Sequence, residues 1–290
     1  MKKSILFIIN PISGGKDKSG FPETVKKNLD VQLFNPEFVF TEYRNHAFEL
    51  ASEAVRRQVD VVVAVGGDGT INEIASALEG SGTAMAIVPC GSGNGLARTL
   101  RISLNHKKAI SAINKLKFVC IDTAVLNGKK FFNMAGIGFD AQISHRFANL
   151  SSRGLKGYVK TAFQEIVNYK CKLYKIEIDG VILEREAFMI SIANSSQYGN
   201  NAYISPTASL HDGLLDVCIV KPFPLYLFPA MGYRMFSNTC DQSKFVEIIK
   251  GKEIRIHCDE PGMIHWDGEP GEPATDFFIV VKPLSLNILN

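Results

Sequence analysis

The stretch Gly66-Gly67-Asp68-Gly69-Thr70 sets one carboxylate and one hydroxyl among glycines, directly after the wholly apolar run Val61 to Val65. Such a turn can lay backbone N–H groups against a phosphate, because glycines permit close approach and a helix N-terminus favours an anion. Ile71, Ile74, Ala75 and Leu78 follow at helical spacing, so the turn opens into an amphipathic helix. Asp68 cannot bind phosphate itself; it would meet a metal ion on the phosphates, or the hydroxyl that receives one. A plain tight turn accounts for the glycines but leaves Asp68 and Thr70 without a task. Near the C-terminus, Asp267-Gly268-Glu269 supplies two more carboxylates after a strand holding Ile264 and Trp266, and on spacing alone an ordinary turn at a strand end explains them.

These residues need a frame. Ile5 to Ile9, Val61 to Val65 and Ala84 to Val88 are continuous apolar runs, as strands of a parallel sheet buried on both faces would be. The helical pattern Ala47, Leu50, Ala51, Ala54, Val55 lies between the first two. The order predicts an open α/β sheet whose ligands bind at the carboxyl ends of the strands. Those ends carry Asn10-Pro11-Ile12-Ser13-Gly14-Gly15, Gly66 to Thr70, and Pro89 to Gly95. From Phe118 the texture changes to short alternating strands, including Ile176 with Ile178 and Ile254 with Ile256 and Cys258, and to the hairpin signals Asn127-Gly128 and Asp179-Gly180. A helical insert is expected at Leu155 to Val167. We therefore expect two domains: residues 1–120, an α/β nucleotide-binding domain, and residues 121–290, mostly antiparallel β, with the last few residues able to return to the first domain.

Composition narrows the function. A net charge of +3 gives no case for nucleic-acid binding. Six cysteines without a CxxC pair read as reduced core thiols, and His46, His145, His211 and His265 show no metal spacing. Too few apolar residues precede Asn10-Pro11 for a signal peptide, which predicts a cytoplasmic protein. No apolar stretch reaches the ~20 residues of a bilayer span; Pro222 to Phe236 holds three prolines, and a core helix is expected after Pro224. Gly136-Ile137-Gly138-Phe139-Asp140-Ala141 matches a dinucleotide fingerprint, but Lys156 and Lys160 stand where its acid belongs, so it reads as a turn lining the ligand cleft. No Walker-type loop is present, since Gly14 to Ser19 has the wrong spacing. Arg146, Arg153, Lys156, Lys160, Lys170, Lys172 and Lys175 face only Glu165 over the same stretch, and Arg153, Lys156 and Lys160 share a helical face. A solvated surface and a docking face for anionic lipid both fit that run.

Taken together, Asn10-Pro11-Ile12-Ser13-Gly14, Gly66 to Thr70, Gly91-Ser92-Gly93-Asn94 before Leu96-Ala97-Arg98, Gly136 to Asp140, Asp212-Gly213 and Asp267-Gly268-Glu269 resemble the diacylglycerol kinase catalytic domain. The resemblance extends to sphingosine and ceramide kinases and bacterial soluble lipid kinases, and covers nearly the whole chain. It implies an α/β domain like that of NAD kinases and phosphofructokinases, a β-sandwich domain, and an active site in the cleft between them. The implied reaction moves the γ-phosphate of ATP to a hydroxyl of diacylglycerol or a sphingosine-like lipid at the inner membrane face, with peripheral membrane contact. The resemblance assigns ATP to Asn10, Pro11, Ser13, Gly14, Thr41, Gly66, Gly67, Asp68, Gly69, Thr70, Asn72, Gly91, Ser92 and Asn94. It gives Glu269 the role of base, with Asp68 as runner-up and Asp267 as a further catalytic carboxylate. A structural Mg2+ would sit at Asp212 with Ser209 and Leu214, apart from the ion on ATP. One departure stands out: bacterial diacylglycerol kinases usually continue Gly-Thr-x-Asn with Asp, where this chain has Gly95, and Gly-Ser-Gly-Asn followed by a small residue resembles more the sphingosine and ceramide branch. NAD kinase and a non-catalytic nucleotide or lipid sensor remain alternatives, and a homodimer stays open.

Overall fold

Unbroken runs of Val, Ile and Ala are stable only where both faces are covered, and they build the centre of the first of two compact units. The computed structural model describes residues 2–15, 17–148 and 161–290, except the side chains of 147 and 148. The units are Met1–Ile121 with Leu284–Asn290, and Asp122–Pro283. In the first, β1 (Lys3–Ile9), β2 (Phe34–Phe40), β3 (Val61–Gly66) and β4 (Ala84–Pro89) form a parallel sheet in the order β4-β3-β1-β2. Every residue of β3 and β4 is buried. The apolar runs did not indicate β2: it lies at the edge, half exposed, and carries Pro36, which an edge strand tolerates. Near the end of the chain, Ile288 pairs parallel with Met85 of β4.

Helices α1 (Phe21–Asn28), α2 (His46–Arg56), α3 (Asp68–Leu78), α4 (Gly95–Thr99) and α5 (His106–Ile113) complete this unit. Helix α2 buries Ala47, Ala51 and Ala54, and α3 buries Ile71, Ile74, Ala75 and Leu78, the faces their spacing specified.

The second unit is antiparallel β. It contains β5 (Phe118–Leu126, entering from the first unit), β6 (Lys129–Phe131), β7 (Met134–Gly138), β8 (Lys172–Ile178), β9 (Val181–Ala187), β10 (Met189–Ala193), β11 (Leu215–Val220), β12 (Val246–Gly251), β13 (Glu253–Trp266) and β14 (Glu269–Leu289, whose end belongs to the first unit). The central order is β12-β11-β10-β7-β13-β14. Strand β13 pairs with β8 over Ile254–His257 and with β7 over Ile264–Trp266, changing partner across an irregularity between His257 and Gly262. Such a change of partner lets a long strand serve both layers of a sandwich. The core gathers Phe131, Ile137, Tyr174, Ile192, Val217, Ile256 and Phe277, among others.

Both hairpin signals form: Asn127-Gly128 joins β5 to β6 and Asp179-Gly180 joins β8 to β9, each pair at positive φ as a type I′ turn requires. None of the six cysteines is in a disulfide, and four are buried; burial pushes the Cys240 thiol up to about 11.

Helix α6 (Phe139–Ala148) follows β7. Of the expected helical insert, residues 161–165 are helical and lead into a tight turn at Ile166–Asn168. Its start, with Arg153, Lys156 and Lys160, lies outside the described residues. The expected core helix after Pro224 needs correction: helix α7 (Phe228–Phe236) forms, but none of its residues is fully buried. Its inner side packs through Phe228, Met231 and Met235, while Tyr233 and Phe236 point outward. No helix among the described residues is long and apolar enough to cross a membrane.

Candidate active site

In the first unit three glycine loops lie against one another at the carboxyl ends of β1, β3 and β4. Asn10 donates from its backbone N–H to the Val65 carbonyl at 2.9 Å, and Cys90 to Gly66 at 2.7 Å. A Cβ on Gly14, whose φ is +67°, would stand 2.0 Å from the Cys90 carbonyl oxygen, and one on Gly91 would stand 2.7 Å from Gly67 Cα. Only glycine allows backbones this close. Thr41 closes the group at the end of β2, its N–H donating to Ile9 at 2.9 Å.

Several residues assigned to ATP by sequence interlock these loops. Asn10 Nδ2 donates to Thr70 Oγ1 at 3.0 Å, tying the first loop to α3. Asn94, buried and at positive φ, accepts the Gly91 N–H at 3.0 Å and donates to the Gly91 carbonyl at 2.8 Å. The two oxygens of Asp68 accept N–H groups of Asn94 and Gly95, each at 2.9 Å. Asp68 thus caps the start of α4 from the neighbouring loop. The Gly95 that departs from the usual Asp offers its backbone to this carboxylate. Lys18, which sequence reasoning passed over, is buried, and its ammonium donates to the Ser13 carbonyl of the first loop. A lone Lys in a polar segment carries no periodic signal that could have revealed it. Ser92 is exposed and Asn72 half-buried one turn into α3.

In the second unit, Asp267-Gly268 forms the two-residue turn between β13 and β14, with φ of 49° and 85° and Trp266 opposite Glu269. The ordinary-turn explanation is therefore correct for the backbone, and the turn delivers Glu269 as the first residue of β14. The Asp267 carboxylate accepts three backbone N–H groups, from Phe132 at 3.0 Å and from Asn133 and Met134 at 2.9 Å each. Its own N–H donates to Met134 at 2.7 Å.

Beside this turn lies a cluster that spacing did not reveal. Asp140 Oδ2 is met by Tyr198 Oη at 2.9 Å, Ser191 Oγ at 3.3 Å and His265 Nε2 at 3.2 Å. Asp140 and His265 are both buried, and His265 Nδ1 has no hydrogen-bond partner among the described residues. Gly136 makes the room, since a Cβ there would fall 2.2 Å from Asp140 Oδ2. The fingerprint-like Gly136 to Ala141 thus has a packing reason.

In the third predicted group the Asp212 carboxylate already has partners. Lys250 places its ammonium 2.9 Å from Asp212 Oδ2 and 3.0 Å from Asp216 Oδ1, and Asp216 is buried and also accepts the Ser205 hydroxyl. The Leu214 N–H donates to Asp212 Oδ1 at 3.2 Å, and Ser209 Oγ accepts from His211. The Lys250 ammonium thus already places one positive charge against both carboxylates. No group of three or more His, Cys, Asp or Glu side chains able to hold a metal occurs among the described residues. We expect the nucleotide-free protein to melt at the same temperature in magnesium and in chelator. Stabilisation by magnesium of several degrees, as a bound structural ion gives, would instead place a cation here.

Residues 4–126 match the diacylglycerol kinase catalytic domain, and residues 133–290 match the YegS C-terminal NAD kinase beta sandwich-like domain. The chain belongs to the diacylglycerol kinase catalytic-domain family. Within it, this member is 26% identical over 282 residues to a protein named diacylglycerol kinase from Bacillus subtilis, covering 93% of this chain and 90% of the relative. It is 30% identical over 230 residues to a Pseudomonas aeruginosa protein named "Probable lipid kinase YegS-like", covering 78% and 75%. Among solved structures, a diacylglycerol kinase from Bacillus anthracis superposes with a TM-score of 0.76 at 23% identity, over 99% of this chain and 96% of the other. An NAD kinase from Archaeoglobus fulgidus, solved with ATP, shares the fold at TM-score 0.54 and 12% identity, over 99% and 93%.

Proposed function

We propose that the protein is an ATP-dependent lipid kinase that phosphorylates a hydroxyl of diacylglycerol or a sphingosine-like lipid. The observation that carries this reading is the interlock of the three glycine loops through Asn10, Thr70, Asn94 and Asp68. It holds the N-terminus of α3 among three close-packed glycine loops, the kind of surface that receives phosphates. The names borne by the relatives support the substrate class. In the proposed reaction Glu269 accepts the proton of the lipid hydroxyl as its oxygen bonds to the γ-phosphorus, and the bond to ADP breaks. Magnesium, when bound with the nucleotide, would neutralise charge on the phosphates. Asp68 holds the loops in register, and Asp267 fixes the turn that presents Glu269.

The test is incubation of the purified protein with labelled ATP, magnesium and separate mixed micelles of diacylglycerol, sphingosine, ceramide and monoacylglycerol. Label in one lipid identifies the acceptor. Label in NAD and in none of the lipids would replace this reading with NAD kinase; nucleotide binding without transfer to any acceptor would favour a sensor.

A further inference from the structure

We propose that the outer face formed by α7, the turn before it and residues 161–168 is the surface on which this protein docks to an anionic lipid bilayer. This rests on the lipid-kinase reading, which requires access to a substrate held in a membrane. Leu225, Tyr226, Tyr233 and Phe236 are 54%, 80%, 73% and 45% exposed, and beside them Phe163 and Val167 are 50% and 69% exposed. The two segments form one surface: Phe163 and Phe228 meet edge to face at 5.2 Å, and Ala162 and Ile166 share an apolar cluster with Phe228, Met231 and Met235. The outward residues therefore stand on a packed base rather than on a loose loop.

Charge selects the partner. From Pro222 to Tyr233 no residue is charged; Lys221, paired with Glu247 at 2.8 Å, and Arg234 bound that stretch. Lys170 and Lys244 are also exposed at its borders, while Asp241 is the exposed acid over residues 161–170 and 221–245. Glu165 is engaged by Arg146 and Gln142. An apolar face with tyrosines, rimmed by cations, matches the boundary between anionic headgroups and acyl chains. A second copy is disfavoured, since a two-fold contact would set the cationic rims against each other.

The experiment is flotation of the nucleotide-free protein with vesicles of phosphatidylcholine containing phosphatidylglycerol, and with phosphatidylcholine alone. A Leu225→Ser, Tyr226→Ser, Tyr233→Ser variant serves as the comparison. We expect the native protein to float with anionic vesicles and to be released by salt, and the variant to lose binding by roughly tenfold or more. The variant should retain its melting temperature and its turnover of a dispersed short-chain diacylglycerol, because the changed residues are exposed. Equal flotation of variant and native protein would overturn the proposal, as would a native dimer that the variant dissolves with no effect on vesicles. Binding is read without ATP, so flotation with no lipid phosphorylation would count against the kinase reading alone.

Discussion

Glu269→Gln should abolish turnover while leaving ATP binding intact. The substitution keeps shape and volume but removes the only property the proposed role needs, an oxygen that can accept a proton. A positioned base contributes roughly 10² to 10⁴-fold, and we expect kcat to fall within that range. ATP affinity should hold, because the loops assigned to the nucleotide belong to the first unit and Glu269 to the second. Both quantities come from one preparation: titration for binding, transfer of label to lipid for turnover. Activity retained in the variant would move the base elsewhere, Asp68 being next, and Asp68→Asn would then be the variant to measure.

The second large effect is expected at Asp267. Its carboxylate holds the N–H groups of Phe132, Asn133 and Met134, and bonds to a charged acceptor are worth roughly 1.5–3 kcal/mol each before solvent takes its share. Asp267→Asn is the cleaner change, since asparagine tolerates the positive φ of this turn, whereas alanine would add backbone strain. The amide keeps one acceptor oxygen and turns an NH2 group toward donors. Because the residue is half-exposed and water can re-satisfy part of the loss, we expect about 2 kcal/mol of destabilisation, read as a lowering of Tm by ~4–8 °C. Turnover should fall with it, since Glu269 lies two residues further along the same turn. If Asp267 instead took part in the chemistry, Asp267→Asn would abolish turnover at unchanged Tm. The ratio of the two losses separates positioning from catalysis.

Much of this protein could be read from the chain. Continuous Val and Ile runs specify β1, β3 and β4 because a strand covered on both faces admits no polar residue. Asn127-Gly128 and Asp179-Gly180 specify their hairpins because so few residues accept positive φ at both turn positions. The motif set from Asn10 to Glu269 points to the family, since close phosphate approach demands glycine at fixed places. What the chain could not disclose is which lone pairs are already engaged. Asp68, Asp267 and Asp212 look alike in sequence, yet the structure gives the first to a helix start, the second to a turn and the third to Lys250. Nor could spacing show the Asp140–His265 pair, whose members are brought together by β7 lying beside β13. Edge strand β2 and the outward face of α7 escaped for a related reason: local pattern records where apolar residues fall, while packing decides which of them are covered. Periodicity and turn chemistry are local and survive in sequence. Hydrogen-bond partners far apart in the chain, and the burial of a given face, exist only once the strands have found their register.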